Sequence, residues 1–248
     1  MRGWYLVSLI CVAGLLPAQP PAAKPTFEVV SIKENRSTSG PPIWTPQRSG
    51  NRVLLRNVRL QIVINYAWHI DNLWQVSFPG NMPLEWWDIE AESAGTPDDD
   101  TLRLMFQSML EDRFKVKTHY EQREIDQWEL VVSKPGKLKT ADPDTPMTLS
   151  GRPVHPGTVG IVNETDGHHL ISSGCSIAQI ADSFSRVLHA PVVNKTSLEG
   201  FYQYNILLDE DPPNIPSVAD RELGLKLVRS KGEARVLIVD HVEKPTPN

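Results

Sequence analysis

The chain has 248 residues, with 25 Lys and Arg against 30 Asp and Glu, for a formal net charge of −5. This mildly acidic balance, without a block of basic residues, argues against nucleic acid and anionic membrane surfaces as partners. The length is ample for one or two cored domains.

The N-terminus has the order of an export signal. Arg2 supplies the positive start, Trp4 to Leu16 is mostly apolar, and Pro17-Ala18 offers a small-residue cleavage point. The run is short for a bilayer span, and no other stretch is long and apolar enough. A signal over 1–18 predicts a mature chain outside the cytoplasm, periplasmic or secreted, with no transmembrane segment. Cleavage also removes Cys11 and leaves Cys175 alone. An intramolecular disulfide is then impossible, so stability must come from packing. No His or Asn motif frames Cys175 as a nucleophile, and it reads as a small residue at a strand-to-helix junction.

Residues 19–26 form a Pro/Ala linker. Phe27 to Lys33 alternates apolar and polar residues and predicts a half-buried strand. Glu34 to Gly50, rich in Ser, Pro and Gly, reads as an exposed loop. Arg52 to Val58 is a strand, and Leu60 to Ile70 a helix with Ile62, Val63, Tyr66, Ala67 and Ile70 on one face. Trp86 to Ala91 is an aromatic strand. Thr96 as N-cap, Pro97 at the first helical position and Asp98 to Asp100 in the first turn specify the next helix. Its apolar face is Leu102, Met105, Phe106, Met109 and Leu110. Phe114 to Tyr120 and Trp128 to Val132 read as a hairpin around a charged turn.

Residues 136–166 lack periodicity and read as a linker between a first module, 27–135, and a second, 167–248. The second opens with a strand from His168 to Ser172. Ser176 and Gln179 form a capping box before the helix carrying Ile177, Ile180, Ala181, Phe184 and Val187. Pro191 to Val193 and Phe201 to Leu208 are strands, and Ser217 with Asp220 caps a short helix that Gly224 ends. Leu225 to Val228 and Val236 to Val239 read as a closing hairpin, whose apolar last strand belongs inside a sheet. The order of the first half returns in the second: Leu60 answers Ile177, Phe114 answers Leu225 and Lys134 answers Lys244. The predicted class is α+β, in two tandem repeats of strand-helix-strand-strand-helix-hairpin.

Five stretches carry a resemblance. They are Phe27-Glu-Val-Val-Ser-Ile-Lys33, Met109-Leu-Glu-Asp-Arg-Phe-Lys-Val-Lys117, Pro191-Val-Val-Asn-Lys-Thr-Ser-Leu-Glu-Gly-Phe-Tyr202, Leu223-Gly-Leu-Lys-Leu227 and Val239-Asp-His-Val-Glu-Lys-Pro245. Together they resemble an uncharacterised, exported, paralogous family of acidobacteria of the Solibacter type. The resemblance implies a domain of unknown function and carries over no catalytic residue. Some of these relatives look like the extracytoplasmic part of membrane peptidase sensors, which implies sensing or binding. Asn194 and Asn205 depart from the pattern, which has Asp at both places. The helix-and-hairpin units also resemble the short N-terminal domains of secretins and TonB-dependent transporters, at the level of fold alone.

The chain has no GxSxG, Walker, HExxH or GxGxxG pattern. His168 and His169 are adjacent in a strand and point to opposite faces, which disfavours one shared metal. No metal and no cofactor are expected. The candidate ligand-binding residues are Trp74, Trp86, Arg113 and His169. Trp74 and Trp86 stand near turns, where an indole can face a carbohydrate or peptide. Arg113 beside Asp112 can dock helix to sheet or hold a ligand carboxylate. A hydrolase would use an unrecognised His/Asp site, such as His169 with Asp166. The expected role is an exported, non-enzymatic binding or sensor-type domain whose partner is an envelope protein, peptide or carbohydrate. The rivals are a cell-envelope hydrolase and a structural envelope protein that pairs through a sheet edge.

Overall fold

The computed structural model describes residues 24–37, 45–144, 147–208 and 214–245. The expected signal at 1–18 lies outside the described residues. The first half runs β1 (Val29–Asn35), β2 (Gln47–Ser49), β3 (Arg52–Arg59), α1 (Leu60–Ala67), β4 (Val76–Ser77), β5 (Trp86–Glu92), α2 (Asp99–Arg113) and β6 (Lys117–Val132). The second runs β7 (Thr140–Ala141), β8 (Met147–Leu149), β9 (Arg152–Val154), β10 (Val159–Glu164), β11 (Gly167–Ser176), α3 (Ile177–Leu188), β12 (Val192–Asn194), β13 (Phe201–Leu208), α4 (Ile215–Val218) and β14 (Leu225–His241).

Two cores result. In the first lobe the sheet β1-β5-β3-β2 turns Leu55, Trp87 and Ile89 onto α1 and α2, which contribute Leu60, Ile64, Leu102 and Phe106. Alternation along β5 sends Trp86, Asp88, Glu90 and Glu92 to the opposite face, so one side of this sheet is polar. In the second lobe the sheet β10-β11-β13-β7 buries Leu170, Tyr202 and Tyr204 against Ile180 and Phe184 of α3. The β8–β9 hairpin lies on the other face, packing Met147 and Leu149 on Ile171.

The lobes share one sheet, ordered β12-β6-β14-β4. β6 and β14 pair antiparallel from Leu225↔Val132 to His241↔Lys117. A 16-residue strand spans roughly 50 Å. β14 therefore reaches both cores: Leu237 and Val239 join the first, and Leu225 and Leu227 the second, where Leu130 of β6 meets them. β4 adds parallel to β14, and β12 parallel to β6. Between the cores, Gln122 to Glu124 and Asp126, with the facing Lys231, Glu233 and Arg235, are exposed, so the middle of the ladder is a solvated ribbon.

This architecture corrects the predicted class. Among the described residues, strand far outnumbers helix and the strands form four sheets, not the α+β tandem repeats, like secretin and TonB-dependent transporter domains, that the element order predicts. The two expected hairpins do not form. Each is one continuous strand, and the pairing joins the halves instead of closing each on itself. The charged run Glu121 to Asp126 is tolerated mid-strand because both of its faces meet water. Residues 136–166, read as a linker, carry β7 to β10.

Two caps lie two and three residues from the expected positions. Asp98 caps α2, its side chain accepting from Thr101 N at 2.7 Å, where Thr96 was expected. Asn214 caps α4 through Ser217 N, in place of Ser217 itself. The Ser176–Gln179 capping box forms, and Gly224 ends the last helical turn at φ 67°. The apolar end of β14 lies inside its sheet, between β6 and β4, as its composition predicts.

Candidate functional site

The lobes touch where the loop after α1 meets α3. Asp71 to Gln75 turn here, and the Gln75 carboxamide oxygen accepts from the Asp71 and Asn72 amides at 3.1 and 2.8 Å. This locks a single 3-10 turn, Leu73–Gln75, that presents Trp74 to the second lobe. The indole N–H donates to Ser185 Oγ at 2.9 Å, and Asn72 Nδ2 donates to Asp182 Oδ1 at 3.3 Å. Ser185 and Asp182 stand three residues apart on one side of α3, which is why a single turn can meet both.

A groove of about 350 Å³ opens at this junction, lined by Asp71, Asn72, Trp74 and Gln75 on one side and by α3 and β12 on the other. Ala178, Ala181, Asp182 and Ser185 come from α3, and Pro191, Val192 and Asn194 from β12 and its approach. Trp74 is half-buried, so part of its ring faces the groove. Asn72 is buried, and its side chain meets the Gln75 amide in a reciprocal capping box. Asp182 also pairs with Arg186 one turn further on. Of the residues that build this groove, the sequence marks Trp74 as a candidate binding residue and Asn194 as a departure from the family pattern. Asn72, Asp182 and Ser185 carry no local signal, because their roles depend on contacts across more than 100 positions.

His169 is a different kind of site. It is buried on β11, and its two nitrogens lie 2.7 Å from Asn205 Oδ1 and 3.0 Å from Asp166 Oδ1. Two acceptors favour the doubly protonated ring. The bond to Asn205 raises its pKa, burial opposes this, and Asp166 adds to the rise. The same contact draws the Asp166 carboxyl below its ordinary range. His168 points the other way, with Nδ1 2.6 Å from Asn163 Oδ1. Among the described residues no group of three or more His, Cys, Asp or Glu side chains is placed to hold a metal.

The structure does not bring the other two candidates into the Trp74 groove. Trp86 lies on the polar face of the first sheet, with the Arg59 guanidinium 4.2 Å from its ring centroid. Arg113, at the end of α2, reaches the Val30 carbonyl at 3.5 Å beside a shallow hollow lined by Phe27, Ser108 and Asp112. Among the described residues, Asp220 bonds to Ser133 and Lys134, while Arg221 reaches Glu222. Cys175 is fully buried at the end of β11 and donates weakly to Thr158 O at 3.4 Å.

Fold and groove define a mostly β, two-lobed domain with a polar cleft where its lobes meet. The model of a family described as "Protein of unknown function (DUF3738)" matches residues 61–242, from α1 to just past β14, and the chain belongs to that family. No curated protein and no solved structure matches the chain at a significant level. No helix among the described residues is long and apolar enough to cross a membrane.

Proposed function

We propose that this chain is an extracytoplasmic, non-enzymatic binding domain of the kind that serves a sensor, and that the Trp74 groove is its ligand site. The carrying observation is that both lobes build the groove, around an indole held by a bond from one lobe to the other. A ligand there touches Asp71 to Gln75 and α3 together, so occupancy is linked to how the lobes are held. The order of residues 1–18 and the likeness to exported acidobacterial paralogues support export.

One observation favours the rival hydrolase: the His169–Asp166 contact at 3.0 Å. A general base needs a nitrogen free to take a proton from its nucleophile. In His169 both are engaged, by Asn205 and Asp166.

Thermal melts of the full chain with soluble peptidoglycan fragments and short envelope peptides test the reading. A ligand-dependent rise in Tm, lost in Trp74→Ala and kept in His169→Ala, is expected. Turnover of any such compound, abolished by His169→Ala, contradicts it.

A further inference from the structure

We infer that the Trp74 groove takes a neutral saccharide; this rests on the groove being the ligand site. Sugar rings present two chemistries at once. Their C–H faces are apolar and lie well on an indole, while their hydroxyls both donate and accept in the ring plane. The groove supplies a partner for each. Trp74, Pro191 and Val192 form the apolar part, and Asp71, Gln75, Asp182 and Asn194 supply polar, mostly planar groups around it. The indole is fixed edge-on by its bond to Ser185 at 2.9 Å, so its orientation is set before any ligand arrives.

The same lining selects against other ligands. Among the described residues it holds no Lys or Arg and has two carboxylates, which disfavours phosphates and peptide C-termini. An extended peptide would need a strand edge to pair with. The groove offers three-residue β12, approached through Pro191, which has no N–H. The Asn194 side chain accepts from Thr196 N at 3.0 Å, so its oxygen is held in a fixed place.

The test is binding of the full chain to short neutral oligosaccharides of the gluco, manno, galacto and N-acetylglucosamine series, followed by calorimetry on the best binder. A Lys-Ala repeat peptide serves as the cationic control. Asp71→Ala is the fold-safe variant, because Asp71 is exposed and its one ion pair, with His69 at 3.7 Å, is solvated. Saccharide binding that weakens at least about tenfold in Asp71→Ala, at unchanged Tm, and disappears in Trp74→Ala supports the inference. No binding across the series, or binding that both variants leave intact, overturns it. Peptide binding without saccharide binding, weakened by Asp71→Ala, overturns the ligand class and leaves the groove as the site. Ligands that shift the Tm of Trp74→Ala as much as the parent overturn both.

Discussion

Trp74 and Ser185 belong to different lobes, yet the indole N–H of one lies 2.9 Å from the hydroxyl of the other. Ser185 Oγ itself donates to the Ala190 carbonyl at 2.9 Å, which fixes it against the end of α3. Trp74→Phe removes one hydrogen bond, keeps most of the ring and leaves Ser185 its second partner. The expected loss is about 1 kcal/mol. A double-mutant cycle with Ser185→Ala, read by urea denaturation, should give a coupling of about 0.5–1.5 kcal/mol. Strictly additive losses would mean that this bond does not tie the lobes.

The first core centres on Phe106, which is 1% exposed and stacks edge-to-face on Phe27 and Tyr66 at 5.2 and 5.4 Å. Phe106→Ala leaves a cavity and should cost about 3–5 kcal/mol. Because Leu237 and Val239 of β14 belong to the same core, the loss should also loosen the ribbon. Hydrogen exchange should then accelerate in α2 and also at the end of β14 that carries Leu237 and Val239. Acceleration confined to α2 would contradict the shared-strand arrangement.

Gly224 stands at φ 67°, and a Cβ there would come within 2.4 Å of the Lys134 carbonyl. Its own carbonyl accepts from Ser133 and Lys134 at 2.8 and 3.1 Å, so the backbone cannot retreat without breaking that pair. Gly224→Ala should destabilise by more than the roughly 1–2 kcal/mol of left-handed strain alone. Gly95 also has positive φ, but its added methyl meets open space. Gly95→Ala should therefore be the milder variant in thermal melts, and the reverse order would count against the close approach at Gly224.

The His169 pKa lies above the ordinary 6.5, chiefly through Asn205 and then Asp166. A group whose folded pKa is raised stabilises the fold most when it is protonated. Its contribution is full below about pH 6.5 and is lost as pH rises through the higher folded value. His119 shifts the same way, held by Asp240 and Glu121 at 2.8 and 2.9 Å, but it is solvent-exposed and should matter less. Stability measured from pH 6 to pH 8 should therefore decline in the parent and be flatter in His169→Gln. A steeper decline in the variant would reverse the assigned sign.

Helices were legible where period and caps agreed. The faces of α2 and α3 are those the apolar spacing predicts, and Ser176 and Gln179 close a local box that needs no distant partner. The long strands were not legible, because Glu121 to Asp126 has the composition of a turn. Only its pairing with Lys231 to Val236, more than 100 residues away, makes it a strand. The groove shows the same limit. Trp74 stands out as an aromatic beside a turn, but Asp182 and Ser185 look like ordinary exposed and buried positions on an amphipathic helix. The Asp166–His169 contact lies within one tight turn and could be read from spacing. Its meaning depended on Asn205, on a neighbouring strand.

The central claim is that ligands enter at the junction of the lobes. Its most direct test is a ¹H–¹⁵N NMR titration of the full chain with soluble envelope saccharides. The Trp74 indole N–H is expected to move together with amides of residues 71–75, 182–185 and 192–194, while His169 and Asp166 stay in place. Shifts centred on Asp166, His169 and Asn205, with the Trp74 indole unmoved, would contradict it and favour the hydrolase reading.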